Sequence, residues 1–270
     1  MKSTKQIKTK NSLTLSEVET YREEGLVIPK FRLPTNILTN LQNALEELIR
    51  NNPGVRPEKL ISAHVDKTTN EGVKGSSTFL QFAGYKEILD MVEDLIGSDI
   101  ILWGCHMFCK TSGDGLEVPW HQDGHYWPIR PLATCTAWVA LDFSTPENGA
   151  MRYIPASHRS HTHFTHYTDN SNRLVLNQAL MPGQIDESLA KPVILEPGQI
   201  SLHDVYLVHG SPANRSDQRR AGLAIRYMPA TSYFDREIPA MDQIADFSKR
   251  PIWLLRGSDR SGRNDFQIGH

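Results

Sequence analysis

The sequence predicts an α+β domain with helices packed outside a β core. Three observations point there. The N-terminal third carries helical periodicity between recognisable caps, with apolar residues returning every three or four positions. Beyond residue 100 the period shortens, and short strand-like runs are punctuated by Gly, Pro, Asn and Asp. Finally, 39% hydrophobic and 22% charged residues over 270 positions match an ordinary globular chain with a substantial core. Helices first and strands later favour segregated layers over alternating βαβ units. Residues 1–12 are expected to be a mobile N-terminus and 13–270 a single domain, with its chemistry concentrated at about 100–229.

The elements follow in order. Thr14-Leu15-Ser16-Glu17 has capping-box spacing, with Leu13 and Val18 placed as a hydrophobic staple, and Gly25 is a natural stop. A strand-like Leu26-Val27-Ile28-Pro29 comes next. A second helix starts near Pro34-Thr35, with Ile37, Leu38, Leu41, Leu45, Leu48 and Ile49 on one stripe, and ends at Pro53-Gly54. A third covers 85–96 and stops at Gly97. Strands are expected over 100–110, 134–143, 151–155, 192–195, 199–203 and 221–228. Residues 160–190 are polar, rich in His and Asn, and without period; they read as a long insertion near the mouth of a site.

A net charge of −2 and a pI of about 6.6 give no clustered basic excess, which argues against a nucleic-acid or membrane-surface protein. No apolar run reaches the roughly 18 to 20 residues of a membrane helix. The basic N-terminus lacks the apolar stretch of a signal peptide. Cys105, Cys109 and Cys135 form no disulfide framework and read as buried thiols, consistent with a reducing, cytoplasmic setting.

The most informative segment is Trp120-His121-Gln122-Asp123. On a strand, His121 and Asp123 point the same way and Gln122 points oppositely. An imidazole and a carboxylate side by side supply two ligands of a two-histidine, one-carboxylate facial triad. HxD alone is a weak signal. The third ligand would come from a distant strand, where His203 and His209 are both candidates; His209 ends an apolar run and is followed by Gly210. Eleven residues beyond it stands Arg220, placed to grip the far end of a dicarboxylate through a bidentate ion pair.

The ordered set HQD, HGS and Arg220, together with PWHQDGHYWPIRP, TAWVALD, ENGAMRYIPASH and HGSPANRSDQRRAGLAIRY, resembles the phytanoyl-CoA dioxygenase family of iron(II)/2-oxoglutarate oxygenases. The resemblance covers about half the chain, and the helical N-terminal part fits more loosely. It implies a double-stranded β-helix, a jelly-roll or cupin-like core. It makes His121, Asp123 and His209 the iron ligands, with Arg220 on the C5 carboxylate of 2-oxoglutarate and Ser211 hydrogen-bonding nearby. Trp138 and His106 fall where family members line the co-substrate pocket. The neighbouring Arg219 leaves a one-residue ambiguity, and the distance to Tyr227 favours Arg220.

Three protein ligands leave three cis positions on octahedral iron. In the family, 2-oxoglutarate fills two and oxygen the third. Oxidative decarboxylation releases succinate and carbon dioxide and drives hydroxylation of an unactivated C–H bond. The primary substrate is not written in these motifs. His125, Tyr126 and Trp127 are candidates to line its pocket. Polar residues near the motif, Arg226 among them, point to a small polar, zwitterionic or anionic molecule of the 2-aminoethylphosphonate kind. Two other readings remain: a cupin-type metal dioxygenase that needs no 2-oxoglutarate, which Arg220 and Ser211 argue against, and a non-catalytic metabolite-binding module. The sequence leaves the oligomeric state open.

Overall fold

The computed structural model describes residues 12–66, 72–238 and 247–270. The segment expected to be mobile lies outside them but for Ser12. Helix α1, Leu15–Glu24, begins as its sequence dictates: Thr14 Oγ accepts from the Glu17 N–H while the Glu17 carboxylate accepts from the Thr14 N–H. Gly25 closes it in the left-handed region at φ 83°, and a Cβ there would lie 2.5 Å from the His158 ring. Helix α2, Thr35–Asn51, buries Leu41, Ala44, Leu45 and Leu48. Helix α3, Ser77–Ala83, was not expected. Its seven residues are too few to show a period, and the cap from Ser76 to the Thr78 N–H is its main local signal. Helix α4, Lys86–Ile96, buries Ile88, Leu89, Met91 and Val92.

Strands follow in chain order. The first six are β1 (Leu26–Val27), β2 (Leu60–Ile61), β3 (Ile100–Lys110), β4 (Val118–His121), β5 (Ile129–Arg130) and β6 (Cys135–Ala140). Next come β7 (Arg152–Tyr153), β8 (His166–Thr168), β9 (Gln178–Leu180), β10 (Lys191–Pro192) and β11 (Ile200–Asp204). The last are β12 (His209–Ser211), β13 (Arg220–Pro229), β14 (Tyr233–Phe234) and β15 (Trp253–Arg256). Among the described residues the large sheet runs β1-β11-β6-β13-β3-β15, with β2 also on β3, and a smaller sheet runs β10-β7-β12-β4. Both are antiparallel throughout.

Strand alternation gives the large sheet two different faces. Cys105, Met107, Ala137, Val139, Leu223 and Ile225 join Leu45, Leu48, Ile88 and Val92 of the helices in one apolar cluster. That face is sealed by α2 and α4. The opposite face presents Phe108, Trp138, His203, Arg220 and Arg226 to a cavity, and the small sheet contributes Val118, His121, His209 and Ser211 to the same space. The active region therefore lies between two antiparallel sheets.

The segment 160–190, read from sequence as a loop, contains the antiparallel pair β8 and β9. These three-residue strands are too short for alternation to register, and β8 is largely solvated. The expected strand at 192–195 shortens to β10 because the chain turns irregular at Val193, although Val193 and Leu195 are both buried. All three cysteines are buried and free.

Candidate active site

His121 is the last residue of β4, and Asp123 opens a single turn of 3-10 helix, Asp123–His125. The expectation that both sit on one strand is therefore corrected. Gln122 between them is still extended, at φ −118° and ψ 128°, so the alternation survives one residue past the ladder and the two side chains share a face. Gln122 points away. Its amide donates to the carbonyls of Thr162 and Tyr206 and accepts from the Phe164 N–H, which ties the 160–190 segment to the back of the motif.

His209 opens β12 directly across the ladder from His121, and the ring centroids lie 4.3 Å apart. Asp123 Oδ1 is 3.6 Å from His121 Nε2, and its Oδ2 is 4.0 Å from His209 Nε2. One ligand atom from each of the three lies within 4.8 Å of the others. Each imidazole Nδ1 is 2.9 Å from a backbone carbonyl two residues earlier, Pro119 for His121 and Leu207 for His209. A carbonyl only accepts, so both Nδ1 atoms carry the proton and both Nε2 lone pairs face Asp123. Burial disfavours charge on Asp123, yet the neighbouring His121 and His203 rings, then His209 and the Arg226 charge, outweigh it and hold the carboxyl well below the usual range. Burial pushes His209 down to about 3, with His121 adding to the shift. A neutral imidazole and an ionised carboxylate at neutral pH are the states a divalent cation requires. The donor set fits a mononuclear metal.

Arg220 stands deeper in the same cavity, 2% exposed, with its guanidinium carbon 5.4 Å from the centre of the Trp138 ring. It makes no ion pair or hydrogen bond among the described residues, and its Nε is buried without a partner. Burial lowers it to about 10, so it remains cationic at neutral pH. The register ambiguity resolves in space: Arg219 points outward to Asp142 and Glu46, whereas Arg220 faces the cavity. Ser211 and Trp138 line the same cavity. Lys110 braces this end by donating its Nζ to the carbonyls of Ser211 and Pro212, and burial, followed by the Arg220 charge, pushes its pKa to about 6.

Not every expected residue reaches the cavity. His106 does not line it: the ring stacks behind Phe108 at 3.8 Å, and its Nε2 meets the Glu58 carbonyl. Phe108 holds the position instead, because a bulky neighbour two residues along the same strand face covers it. His125 stacks on His166 at 4.1 Å, outside the cavity lining, and Tyr126 packs against the apolar cluster that holds Trp127. Trp127 is not in the cavity lining but meets Arg226, whose guanidinium carbon is 5.0 Å from its ring. Arg226 itself lines the cavity. His203, considered from sequence as a rival ligand, is brought beside the triad. Its Nε2 is 3.7 Å from Asp123 Oδ2, and neither ring nitrogen has a hydrogen bond. Its place on β11, facing the same way as Ser201, was the available signal.

Two imidazoles and a carboxylate on one face of a cavity between antiparallel sheets are the donor set of mononuclear non-haem iron centres. The family model for "Phytanoyl-CoA dioxygenase (PhyH)" matches residues 21–222, and the chain belongs to that family of iron(II)/2-oxoglutarate oxygenases. A relative from Stutzerimonas stutzeri, described as "Probable alpha-ketoglutarate-dependent hypophosphite dioxygenase", is 31% identical over 157 residues, 55% of this chain and 52% of its own length. The chain thus spans about half of that relative. Human peroxisomal phytanoyl-CoA dioxygenase is 23% identical over 246 residues, 83% of this chain and 71% of its own. Among solved structures, the non-haem monooxygenase ThoJ in its apo form superposes with a TM-score of 0.70 at 24% identity, covering 92% of this chain and 86% of that one. CytC3 with Fe(II) and alpha-ketoglutarate gives 0.65 at 20% identity, covering 94% and 93%. These likenesses establish a shared fold. Among the described residues no helix is long and apolar enough to cross a membrane.

Proposed function

We propose that this chain hydroxylates an unactivated C–H bond of a small polar metabolite, 2-aminoethylphosphonate-like in size and polarity, using iron(II), 2-oxoglutarate and oxygen. The observation that carries the reading is one cavity holding both the His121-Asp123-His209 cluster and a buried Arg220 that has no carboxylate partner among the described residues. In this reading residues 13–270 form a single domain and the two facing sheets are a double-stranded β-helix. His121, Asp123 and His209 hold the iron, which supplies oxygen activation coupled to oxidative decarboxylation of the co-substrate.

The chain's own contribution is positioning and charge. Arg220 receives the C5 carboxylate of 2-oxoglutarate through a bidentate pair, with Ser211 at its side and the Trp138 ring fixing the guanidinium plane. A buried cation without a partner among the described residues is costly, so the pocket is preorganised for a dicarboxylate. Lys110 keeps the Ser211 backbone in place. The cavity is compact, with the triad, Arg220 and Arg226 all on its wall, which favours an oxoacid and a small second molecule over a long acyl chain. The hypophosphite-type relative, also directed at a small molecule, supports the same choice.

Anaerobic titration with iron(II) and 2-oxoglutarate tests the reading by its weak visible charge-transfer band, followed by succinate release under oxygen with a panel of small polar substrates. We expect the band in the wild type and its loss in Asp123→Ala, together with weakened iron binding and abolished turnover. Undiminished turnover in that variant refutes the ligand assignment, and turnover confined to long-chain acyl thioesters refutes the substrate reading.

A further inference from the structure

Strand β13 carries a second cation, Arg226, to which binding of the iron and the oxoacid assigns no role. Arg220, Ala224 and Arg226 face the cavity from alternate positions, so the pocket holds two guanidiniums, one towards each end of the strand. Arg226 has no hydrogen bond or ion pair among the described residues, and its Nε is buried without a partner. Its guanidinium is nonetheless held in place: the carbon sits 5.0 Å from the Trp127 ring and 5.7 Å from the Trp103 ring, and both indoles are almost fully buried. Two aromatic faces restrain a cation without neutralising it, leaving its N–H donors for a ligand.

Charge accounting points the same way. With a divalent iron bound, the cavity contains that ion, the Asp123 carboxylate and the Arg220 and Arg226 guanidiniums, a sum of about +3. The 2-oxoglutarate dianion reduces it to about +1. Asp123 is already counted in that sum, and no ion pair within 4.0 Å joins it to Arg226. A partly enclosed site with an unmatched cation selects a ligand of opposite sign.

We propose that Arg226, clamped by Trp103 and Trp127, anchors an anionic group (a phosphonate, phosphinate or carboxylate) of the primary substrate, as Arg220 anchors the co-substrate. This rests on the oxygenase reading and narrows its substrate class from polar to anionic. The anion contact would turn the substrate's remaining carbon skeleton towards the triad, a positioning role separate from the chemistry.

The test uses the full chain under nitrogen with iron(II) and 2-oxoglutarate. Calorimetry would measure binding of 2-aminoethylphosphonate, methylphosphonate and acetate, with acetamide and dimethyl sulfone as neutral counterparts, in wild type, Arg226→Gln and Arg226→Lys. The expected result is anion binding to the wild type, weakened about 10- to 100-fold in Arg226→Gln and partly kept in Arg226→Lys, with the neutral compounds indifferent to both changes. The 2-oxoglutarate charge-transfer titration should move less than about twofold in either variant. Equal anion affinity in wild type and Arg226→Gln, no anion binding to the wild type, or neutral compounds binding as well as anions would each overturn the proposal. Failure of 2-oxoglutarate to bind the wild type sinks the oxygenase reading instead. Thermal unfolding of each variant separates a folding defect from loss of the anion contact; an Arg226 that only braces the two indoles would shift the melting temperature and leave affinity unchanged.

Discussion

His64 is 1% exposed against the edge of Trp253, with 4.8 Å between ring centroids, and neither of its ring nitrogens has a hydrogen-bond partner. Burial, helped by the Arg250 charge, pushes its pKa down to about 3. The folded chain therefore holds it neutral while the unfolded chain takes up a proton below about 6.5. Its stabilising effect is whole above that value and is lost as pH falls towards 3, at about 1.4 kcal/mol per pH unit. Urea unfolding at pH 7.5 and 5.5 in the presence of chelator should show a smaller pH difference for His64→Leu than for wild type; equal differences would place the titration elsewhere. The adjacent arginines give a second contrast. Arg220→Ala should raise the Michaelis constant for 2-oxoglutarate far more than that for the primary substrate. Arg219→Ala, which removes half-exposed pairs to Asp142 and Glu46, should cost about 1 kcal/mol or less and leave both constants unchanged. Steady-state kinetics on the two variants decides which one serves the co-substrate.

At the scale of elements, two features can be broken singly. Gln122 is fully buried and makes three hydrogen bonds to the 160–190 segment and the Tyr206 turn. Gln122→Ala should destabilise by about 2 to 4 kcal/mol and raise hydrogen exchange within 160–190 before elsewhere. Uniform exchange would deny the tether. Gly222, between Arg220 and Ala224 on the cavity face of β13, leaves room for Trp138: a Cβ would lie 1.9 Å from that ring. Gly222→Ala should displace the indole from beneath Arg220 and weaken 2-oxoglutarate binding in the anaerobic titration. Elements of this kind explain what the sequence disclosed. The cap at Thr14, the stop at Gly25 and the eleven residues of β3 were legible because each depends on neighbours along the chain. The hairpin of β8 and β9, helix α3 and the displacement of His106 by Phe108 were not. Short polar strands carry no period, and which of two residues on a face reaches a cavity is decided by packing across the sheet. The triad was readable as an ordered set; the arrival of His203 beside it depended on β11 pairing with β6.

For the molecule as a whole, the site joins two layers. His121 and His209 belong to the small sheet and Arg220 to the large one. An oxoacid held at one end by the metal and at the other by Arg220 should therefore link the sheets, whereas metal alone engages only one. We expect 2-oxoglutarate at a hundred times its dissociation constant to add about 2.7 kcal/mol of stability when iron(II) is present, and much less when chelator has removed the metal. Equal shifts with and without metal, in thermal unfolding under nitrogen, would show that the oxoacid binds without spanning the gap. Helix-face substitutions such as Leu45→Ala should cost about 2 to 5 kcal/mol with no change in oxoacid affinity, because α2 covers the opposite face of the large sheet.

Strand β13 also acts as a gauge. Arg220 and Arg226 stand six positions apart, roughly 20 Å between their backbones. Extended chain is the least compressible form of polypeptide, so insertions in loops can reshape the rim without altering this span. A slip of one position would turn both guanidiniums out and carry Ala221 and Tyr227 in. A descendant of this chain could therefore exchange the substrate's head group by editing position 226, but could accept a longer pair of molecules only by remaking the strand.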